Sequence, residues 1–160
     1  MAFDAYMKFD GIDGEATDAK HMKWIVIESF SWGISNNVDV IGSALSSGKA
    51  SVHAFTFSKQ TDASSPKLAL ACCVGQHIKS ADLNLAQSSG ERQVWLSYHF
   101  TECMVSSFGI GGAPGGSDRP SETFSVNFGK WEVKYWPSDD KGVLGGVIPA
   151  GYDLKKNTKI

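Results

Sequence analysis

The sequence has 160 residues, a formal net charge of −2 and a pI of about 6.0. This charge balance argues against an overall cationic surface of the kind that binds nucleic acid or anionic lipid. The length fits one domain, residues 1–160, and the hydrophobic content of 42% and charged content of 20% are ordinary for a globular protein.

The sequence carries no signal for insertion into a membrane or for cleaved export. Its N-terminal residues, MAFDAYMKFD, lack the basic region and apolar core of a signal peptide. No stretch approaches the roughly 20 apolar residues of a transmembrane helix. We therefore expect synthesis in the cytoplasm and export, if any, without a cleaved signal peptide. The three cysteines, Cys72, Cys73 and Cys103, are odd in number and do not indicate a disulfide framework.

Alternation of apolar and polar residues predicts the first two strands. The first contains Phe3, Ala5, Met7 and Phe9 on one face. The second is predicted to run from Trp24 to Ile34, with a core face of Trp24, Val26, Phe30, Trp32 and Ile34 and an opposite face of Ile25, Ile27, Ser29, Ser31 and Gly33. The opposite face becomes small and polar, so we expect its far end to meet solvent or a lumen.

The middle of the chain predicts a long excursion, a strand and a helix. Residues Asn36–Gly48 are rich in Ser, Gly and Asn, as functional or mobile loops are. A third strand is predicted over Ala50–Gln60. Ser65 and Pro66 then predict an N-cap and a first-turn proline, and Gly75 predicts the helix end. The helix is apolar nearly all round, so we expect it to be buried.

The last third of the chain predicts further strands. Leu83 and Leu85 mark a fourth, and the alternating segment around Val94–Thr101 a fifth, followed by the glycine-rich segment Gly109–Gly116. In the last long strand the apolar parity changes at Gly129-Lys130, which predicts a bulge there. Many strands and one helix predict a mainly β fold: a single-domain antiparallel β-barrel, built as two packed sheets with one short α-helix.

The residues give little support for an enzyme or a cofactor site. The segment GIGGAPGG lacks the Lys-Ser/Thr pair of a phosphate-binding loop. The histidines and cysteines lack metal-ligand spacing, and no G-x-S-x-G elbow is present. Asp10, Asp13 and Glu15 lack the spacing of a calcium loop. We therefore expect no catalytic residue, cofactor or metal. Trp95 and Trp136 fall on faces opposite the core, where aromatic residues favour a subunit interface.

Several separated blocks of the sequence occur in a specific order and spacing. The blocks are Phe9-Asp10-Gly11-Ile12-x-Gly14-Glu15 with Asp18, Lys20 and His21; Ser31-Trp32-Gly33; Gly48-Lys49-Ala50; Ser65-Pro66-Lys67-Leu68 leading into Ala71-Cys72; Gly75-x-His77-Ile78; Arg119-Pro120-x-Glu122 before Asn127-Phe128; and Ala150-Gly151-Tyr152-Asp153-Leu154-Lys155. In these blocks, over essentially its full length, the chain resembles the Hcp family, the tube proteins of type VI secretion.

The resemblance implies a structural role and a set of partners. Hcp-like subunits assemble head-to-tail into hexameric rings, and the rings stack into a hollow tube inside a contractile sheath. The tube is exported with a spike protein and carries or chaperones small effectors in its lumen. The implied partners are therefore other copies of the chain, the spike, the sheath and small secreted effectors, with no nucleic acid. A ring-forming soluble adaptor that builds no tube is the alternative.

Two groups of residues are candidates for these contacts. Ser29 and Ser31 are the candidates for facing the lumen and contacting an effector; an ordinary solvent-facing strand position is the competing interpretation. The candidates for the subunit interface lie in the predicted excursion: Asn36, Asn37, Val38, Asp39, Val40, Ile41 and Leu45.

Overall fold

The computed structural model describes residues 2–116 and 118–160, which form eleven strands and one α-helix. The strands are β1 (Phe3–Phe9), β2 (Ile25–Ile27), β3 (Ser29–Ser31), β4 (Ile34–Ile41), β5 (Ala44–Val52), β6 (Phe55–Gln60), β7 (Ile78–Gln87), β8 (Val94–Gly111), β9 (Ser121–Tyr135), β10 (Ile148–Asp153) and β11 (Thr158–Lys159), and the helix is α1 (Ser65–Val74). All paired strands are antiparallel. The mainly β architecture with one helix agrees with the prediction.

Nine strands share one sheet, in which β9 holds the central position. Its whole length pairs with β8, its first half pairs with β6 on the other side, and its second half pairs with β10. The path continues from β8 through β7 and β1 to β2, while β3 joins β6. The consecutive strands β2 and β3 pair with two different strands, β1 and β6. In the part of the chain that the structure describes, the sheet therefore does not form a continuously hydrogen-bonded closed barrel.

Aromatic side chains fill the space inside the curved sheet. Phe9, Phe55, Phe57, Phe100 and Phe124 are at most 1% exposed. Ring centroids of Phe55 and Phe57 lie 5.0 Å apart, and those of Phe57 and Phe124 lie 5.1 Å apart. Burial of a phenylalanine stabilises the fold by roughly 1.5–3 kcal/mol, so this cluster is a major source of stability.

The predicted strand from Trp24 to Ile34 is wrong in extent, and its predicted facing is wrong before Glu28 but right for Phe30 and Trp32. The chain bends at Glu28, whose backbone N–H donates to the Ser58 carbonyl. Before the bend Ile25 and Ile27 are buried and Val26 is 51% exposed, the reverse of the prediction. After it Phe30 packs on the core while its two neighbouring serines are exposed. The bend changes which face is buried because β2 and β3 pair with different strands.

The predicted excursion over Asn36–Gly48 is a β-hairpin. Strands β4 and β5 pair through a turn at Gly42 and Ser43, and Gly42 has a φ of 65°. The predicted third strand over Ala50–Gln60 is therefore split: its start belongs to β5, and the core strand begins at Phe55. We refer to β4 and β5 with their turn as the projecting hairpin, since it forms a two-stranded sheet of its own.

The helix begins and packs differently from the prediction. Ser64, not Ser65, is the N-cap residue, and Gly75 ends the helix with a φ of 62° and a bond to the Ala71 carbonyl, as predicted. The expectation of a buried helix is wrong. Leu68 is buried on one side, but Leu70 and Val74 are 60% and 64% exposed, because the sheet covers only one helix face. No helix in residues 2–116 and 118–160 is long and apolar enough to cross a membrane.

The buried face of β9 changes at Gly129-Lys130, as predicted, but the predicted bulge is not the cause. The pairing of β8 with β9 keeps one register across this point, with Cys103 opposite Phe128 and Phe100 opposite Trp131. Both strands change buried face together, and Glu102 in β8 adopts a positive φ of 56°. The register shift in this pair lies instead between Val105 and Ser107.

Candidate functional site

Ser29 and Ser31 belong to a larger hydroxyl-bearing surface on the outside of the sheet. In one row across four strands Ser31 lies opposite Thr56, Thr56 opposite Ser125, and Ser125 opposite Ser107. In the next row Ser29 lies opposite Ser58 and Ser58 opposite Thr123. With Ser106 these side chains form what we call the hydroxyl face: Ser29, Ser31, Thr56, Ser58, Ser106, Ser107, Thr123 and Ser125.

Five of the eight hydroxyl groups of this face contact one another. The Oγ atoms of Ser29 and Ser58 are 2.5 Å apart, and Ser125 Oγ lies 2.9 Å from Ser106 Oγ and 2.5 Å from Ser107 Oγ. A hydroxyl both donates and accepts, so each retains capacity for a further partner. The face is uncharged and presents short side chains to solvent.

Sequence reasoning found two of these eight residues and missed six. The signal was available, because Phe55-Thr56-Phe57-Ser58 and Thr123-Phe124-Ser125-Val126 repeat the hydroxyl–apolar alternation of Ser29-Phe30-Ser31. What alternation does not give is the strand order that places these three segments side by side. The assembled face therefore emerges only from the pairing.

The part of the sheet formed by β1, β7, β8 and the second half of β9 carries ionisable side chains instead of hydroxyl groups. There Lys8 lies opposite Asp82, Asp82 opposite His99, and His99 opposite Glu132. His99 Nδ1 is 2.6 Å from an Asp82 oxygen. The outer surface of the sheet is thus divided into an uncharged face and a charged one.

All seven candidate interface residues lie in the projecting hairpin and are exposed: Asn36, Asn37, Val38, Asp39, Val40, Ile41 and Leu45. Four of them are large and apolar, with exposures of 56% for Val38, 70% for Val40 and Ile41, and 74% for Leu45. Val40 and Leu45 face each other across the hairpin. An isolated two-stranded hairpin is marginally stable in water, so this element is suited to gaining stability from a partner.

Trp95 and Trp136 are half-buried rather than exposed. They line a groove of about 320 Å³ together with Phe3 and Tyr135. The Trp95 ring meets Phe3 at 5.9 Å and Tyr135 at 6.4 Å, both edge-on. Trp95 also packs against the core, so the prediction that it lies on a face opposite the core is wrong.

The three cysteines are free and differ in burial. Cys103 is fully buried, and burial, with a smaller contribution from the Asp82 charge, raises the pKa of its thiol to about 12. Cys72 is half-buried and Cys73 exposed. Among the described residues no group of three or more His, Cys, Asp or Glu side chains could hold a metal ion.

Known proteins resemble this chain over its whole length. The profile of the family described as "Type VI secretion system effector, Hcp" matches residues 6–135. "Protein hcp1" of Pseudomonas aeruginosa is 34% identical over 162 aligned positions that cover 99% of each chain. A solved "type six secretion system protein" is 39% identical with a TM-score of 0.95, covering 99% of this chain and 100% of that one. Hcp1 from Salmonella typhimurium is 32% identical with a TM-score of 0.80 over 100% of both chains. The chain therefore belongs to the Hcp family of type VI secretion proteins.

Proposed function

We propose that this chain is a structural subunit of the type VI inner tube. Copies assemble head-to-tail into hexameric rings, the rings stack into a hollow tube, and the tube leaves the cell with the spike through the contractile sheath. Membership of the Hcp family supports this assignment. In this role the protein is not an enzyme and is secreted without a cleaved signal peptide.

The exposed projecting hairpin is the structural feature that best supports the proposed self-assembly. It exposes four large apolar side chains in a two-stranded sheet outside the nine-stranded one. Exposed apolar groups clustered on a protruding element favour contact with another protein. A cyclic ring joins one patch of a subunit to a different patch of its neighbour, and a protruding hairpin suits such heterologous contacts.

The hydroxyl face is the part of the subunit best suited to the lumen. Its side chains are short, so they leave the channel open, and they are uncharged, so they neither repel nor trap an effector by net charge. Ser29 and Ser31 lie at one margin of this face. Hydroxyl groups with spare hydrogen-bonding capacity would hold small effectors weakly enough for release.

Native mass spectrometry and electron microscopy of the purified protein test the proposal. We expect six-fold rings and, at high concentration, stacks of rings. A monomer at every concentration would contradict ring formation. Rings that form in vitro but never appear in the medium of a secretion-competent culture would instead favour a soluble ring-forming adaptor.

A further inference from the structure

A cleft opens in the nine-stranded sheet where β2 and β3 take different partners. Strand β2 pairs with residues 5–7 of β1, and the chain then bends at Glu28 so that β3 pairs with β6. Among the described strands, Phe3 and Asp4 therefore pair only with β7. The space left beside them is lined by residues 3–6 and 26–30 and has a volume of about 370 Å³. We call it the β1–β3 cleft.

The walls of the β1–β3 cleft are largely apolar. Phe3 and Val26 are exposed and Phe30 is half-buried, and the rings of Phe3 and Phe30 lie 6.4 Å apart. A cavity of about 150 Å³ is large enough to hold a benzene molecule. The cleft, at about 370 Å³, therefore has room for two apolar side chains of that size.

The cleft carries one carboxylate whose charge is not compensated within the subunit. Two acidic residues line it, Asp4 and Glu28. Asp4 lies 2.7 Å from the guanidinium of Arg92. Glu28 is exposed and makes no ion pair with any residue in 2–116 or 118–160. A partner that fills the cleft should therefore bring apolar side chains and one cation.

One face of the projecting hairpin has this composition. Alternation places Leu45 and Lys49 on the same face of β5, and pairing across the hairpin adds Val38 and Val40 of β4 to that face. All four side chains are exposed. Lys49 lies four residues from Leu45, about 13 Å along a strand, so its ammonium lies beyond the apolar group. The acidic residue of the hairpin, Asp39, is on the opposite face.

Charge complementarity favours the β1–β3 cleft over the other aromatic depression as the place where the hairpin binds. The groove around Trp95 and Trp136 has no charged residue in its lining and offers Lys49 no counter-ion. No hairpin residue lines either depression, so the hairpin of the same chain fills neither. The matching hairpin must come from another copy.

We propose that the β1–β3 cleft receives the projecting hairpin of a neighbouring copy, with Val40 and Leu45 in the cleft and Lys49 paired with Glu28. This assignment rests on the proposed self-assembly and names the patch that the hairpin meets. The contact joins two different patches, as closure of a ring requires. Ser29 belongs both to the cleft wall and to one margin of the hydroxyl face, so a neighbour bound here leaves most of that face uncovered.

Zero-length cross-linking of the unaltered, assembled protein tests the contact directly. A carbodiimide activates a carboxylate, and a lysine amine that touches it forms an amide. Assemblies are mixed from unlabelled and isotope-labelled subunits, so that mass spectrometry of the digest distinguishes links between copies from links within one. We expect Lys49 of one copy to be joined to Glu28 of another. Links from Lys49 to other carboxylates only would overturn the proposal.

Charge reversal tests the ion pair. Glu28→Lys and Lys49→Glu should each weaken self-association about tenfold in sedimentation velocity, because like charges then face each other. The double variant should recover most of the loss, since the opposite charges are restored with their positions exchanged. Glu91→Lys reverses an exposed carboxylate outside the cleft and is the control. Unaltered association of Glu28→Lys, or a double variant no stronger than either single one, would overturn the proposal.

A pair of valine variants tests the apolar wall and separates this inference from the proposed function. Val26→Asp, at an exposed position in the cleft, should weaken association about tenfold, whereas Val143→Asp, at an exposed valine outside it, should not. Urea unfolding confirms that both variants fold. If the unaltered protein assembles and Val26→Asp assembles equally well, only the cleft assignment fails. If the unaltered protein is a monomer at every concentration, the proposed function fails with it.

Discussion

Lys59 Nζ lies 2.6 Å from Glu122 Oε1 inside the protein, where the lysine side chain is 0% exposed and the glutamate 1%. The pair joins β6 to β9, and Ser65 at the start of α1 donates to the same glutamate oxygen at 2.7 Å. Asp62 accepts from Lys59 at 3.0 Å, and Thr61 donates to the second glutamate oxygen. The network thus ties two strands to the helix N-terminus around one cation, Lys59, and two carboxylates, Asp62 and Glu122.

Removing one partner of this pair should be costly. Lys59→Met leaves the Glu122 carboxylate buried without its cation, and breaking a buried pair costs about 3–5 kcal/mol. Urea unfolding followed by circular dichroism measures the loss. Lys67→Met, at an exposed position on α1, is the control and should change the unfolding free energy by less than about 0.5 kcal/mol. A loss under about 1 kcal/mol in Lys59→Met would contradict the assigned role of the pair.

The same pair predicts how stability depends on pH. Burial alone would raise the pKa of Glu122, but hydrogen bonds from Lys59, Ser65 and Thr61 outweigh it and hold the pKa below its usual value. The stabilisation is therefore present above the ordinary carboxyl range and is lost as the pH falls through the depressed pKa. We expect Glu122→Gln to lose stability mainly at neutral pH, with its deficit shrinking as the pH falls below the ordinary carboxyl range and through the depressed pKa of Glu122.

The control for this pH experiment is Glu91→Gln, which alters an exposed glutamate. Its unfolding free energy should follow that of the unaltered protein across the whole range. A deficit in Glu122→Gln that stays constant with pH would mean that the carboxyl proton is not linked to folding.

Gly14 lies against the backbone of Trp24 and Ile25, where the chain enters β2. A Cβ atom there would lie 2.5 Å from the Trp24 carbonyl oxygen and 2.7 Å from the Ile25 Cα, so backbone must shift. Gly14→Ala should cost about 1–3 kcal/mol, as overpacking does. Thermal unfolding checks it against Gly146→Ala, which adds a Cβ in open space. Equal melting temperatures in the two variants would show that the backbone around Gly14 shifts without cost to stability.

Leu45, 74% exposed at the tip of the projecting hairpin, should matter for assembly and not for folding. Leu45→Asp would place a carboxylate in the proposed apolar contact, weakening self-association at least about tenfold, or 1.4 kcal/mol. Sedimentation velocity measures this, and urea unfolding of the dissociated subunit should be unchanged. Ser51→Asp introduces the same group at another exposed position of β5 and should assemble more strongly than Leu45→Asp. Unaltered association of Leu45→Asp would remove the hairpin from the interface.

Ser31→Glu tests the orientation of the hydroxyl face. A long charged side chain at an uncharged, solvent-facing position should impair effector carriage by about tenfold or more while leaving rings intact. Co-purification of effector with rings, combined with electron microscopy, measures both properties. Thr101→Glu, on the outer surface near Lys130, is the matched control and should carry effector normally. If Ser31→Glu prevents ring formation, the face belongs to a subunit interface and not to the lumen.

The predictions that failed share one physical cause: a local sequence pattern does not show which distant parts of the chain pack together. Alternation located the first strand, because a half-buried strand must place every second side chain inside. It failed at Glu28, where β2 leaves one partner strand and β3 joins another. It failed also at α1, whose apolar sequence exceeds the area that the sheet covers, leaving Leu70 and Val74 exposed.

The sequence by itself determined the family, the mainly antiparallel β architecture, the helix end at Gly75 and the two serines from which the hydroxyl face was found. Each depends on residue type at fixed spacing, which the chain states directly. The tertiary structure decided that six more hydroxyl residues join Ser29 and Ser31, that residues 36–48 form a projecting hairpin, and that Lys59 meets Glu122. The hydroxyl face and the buried ion pair unite segments far apart in the chain, since Lys59 and Glu122 are 63 residues apart, and only the pairing order of the strands brings such segments together.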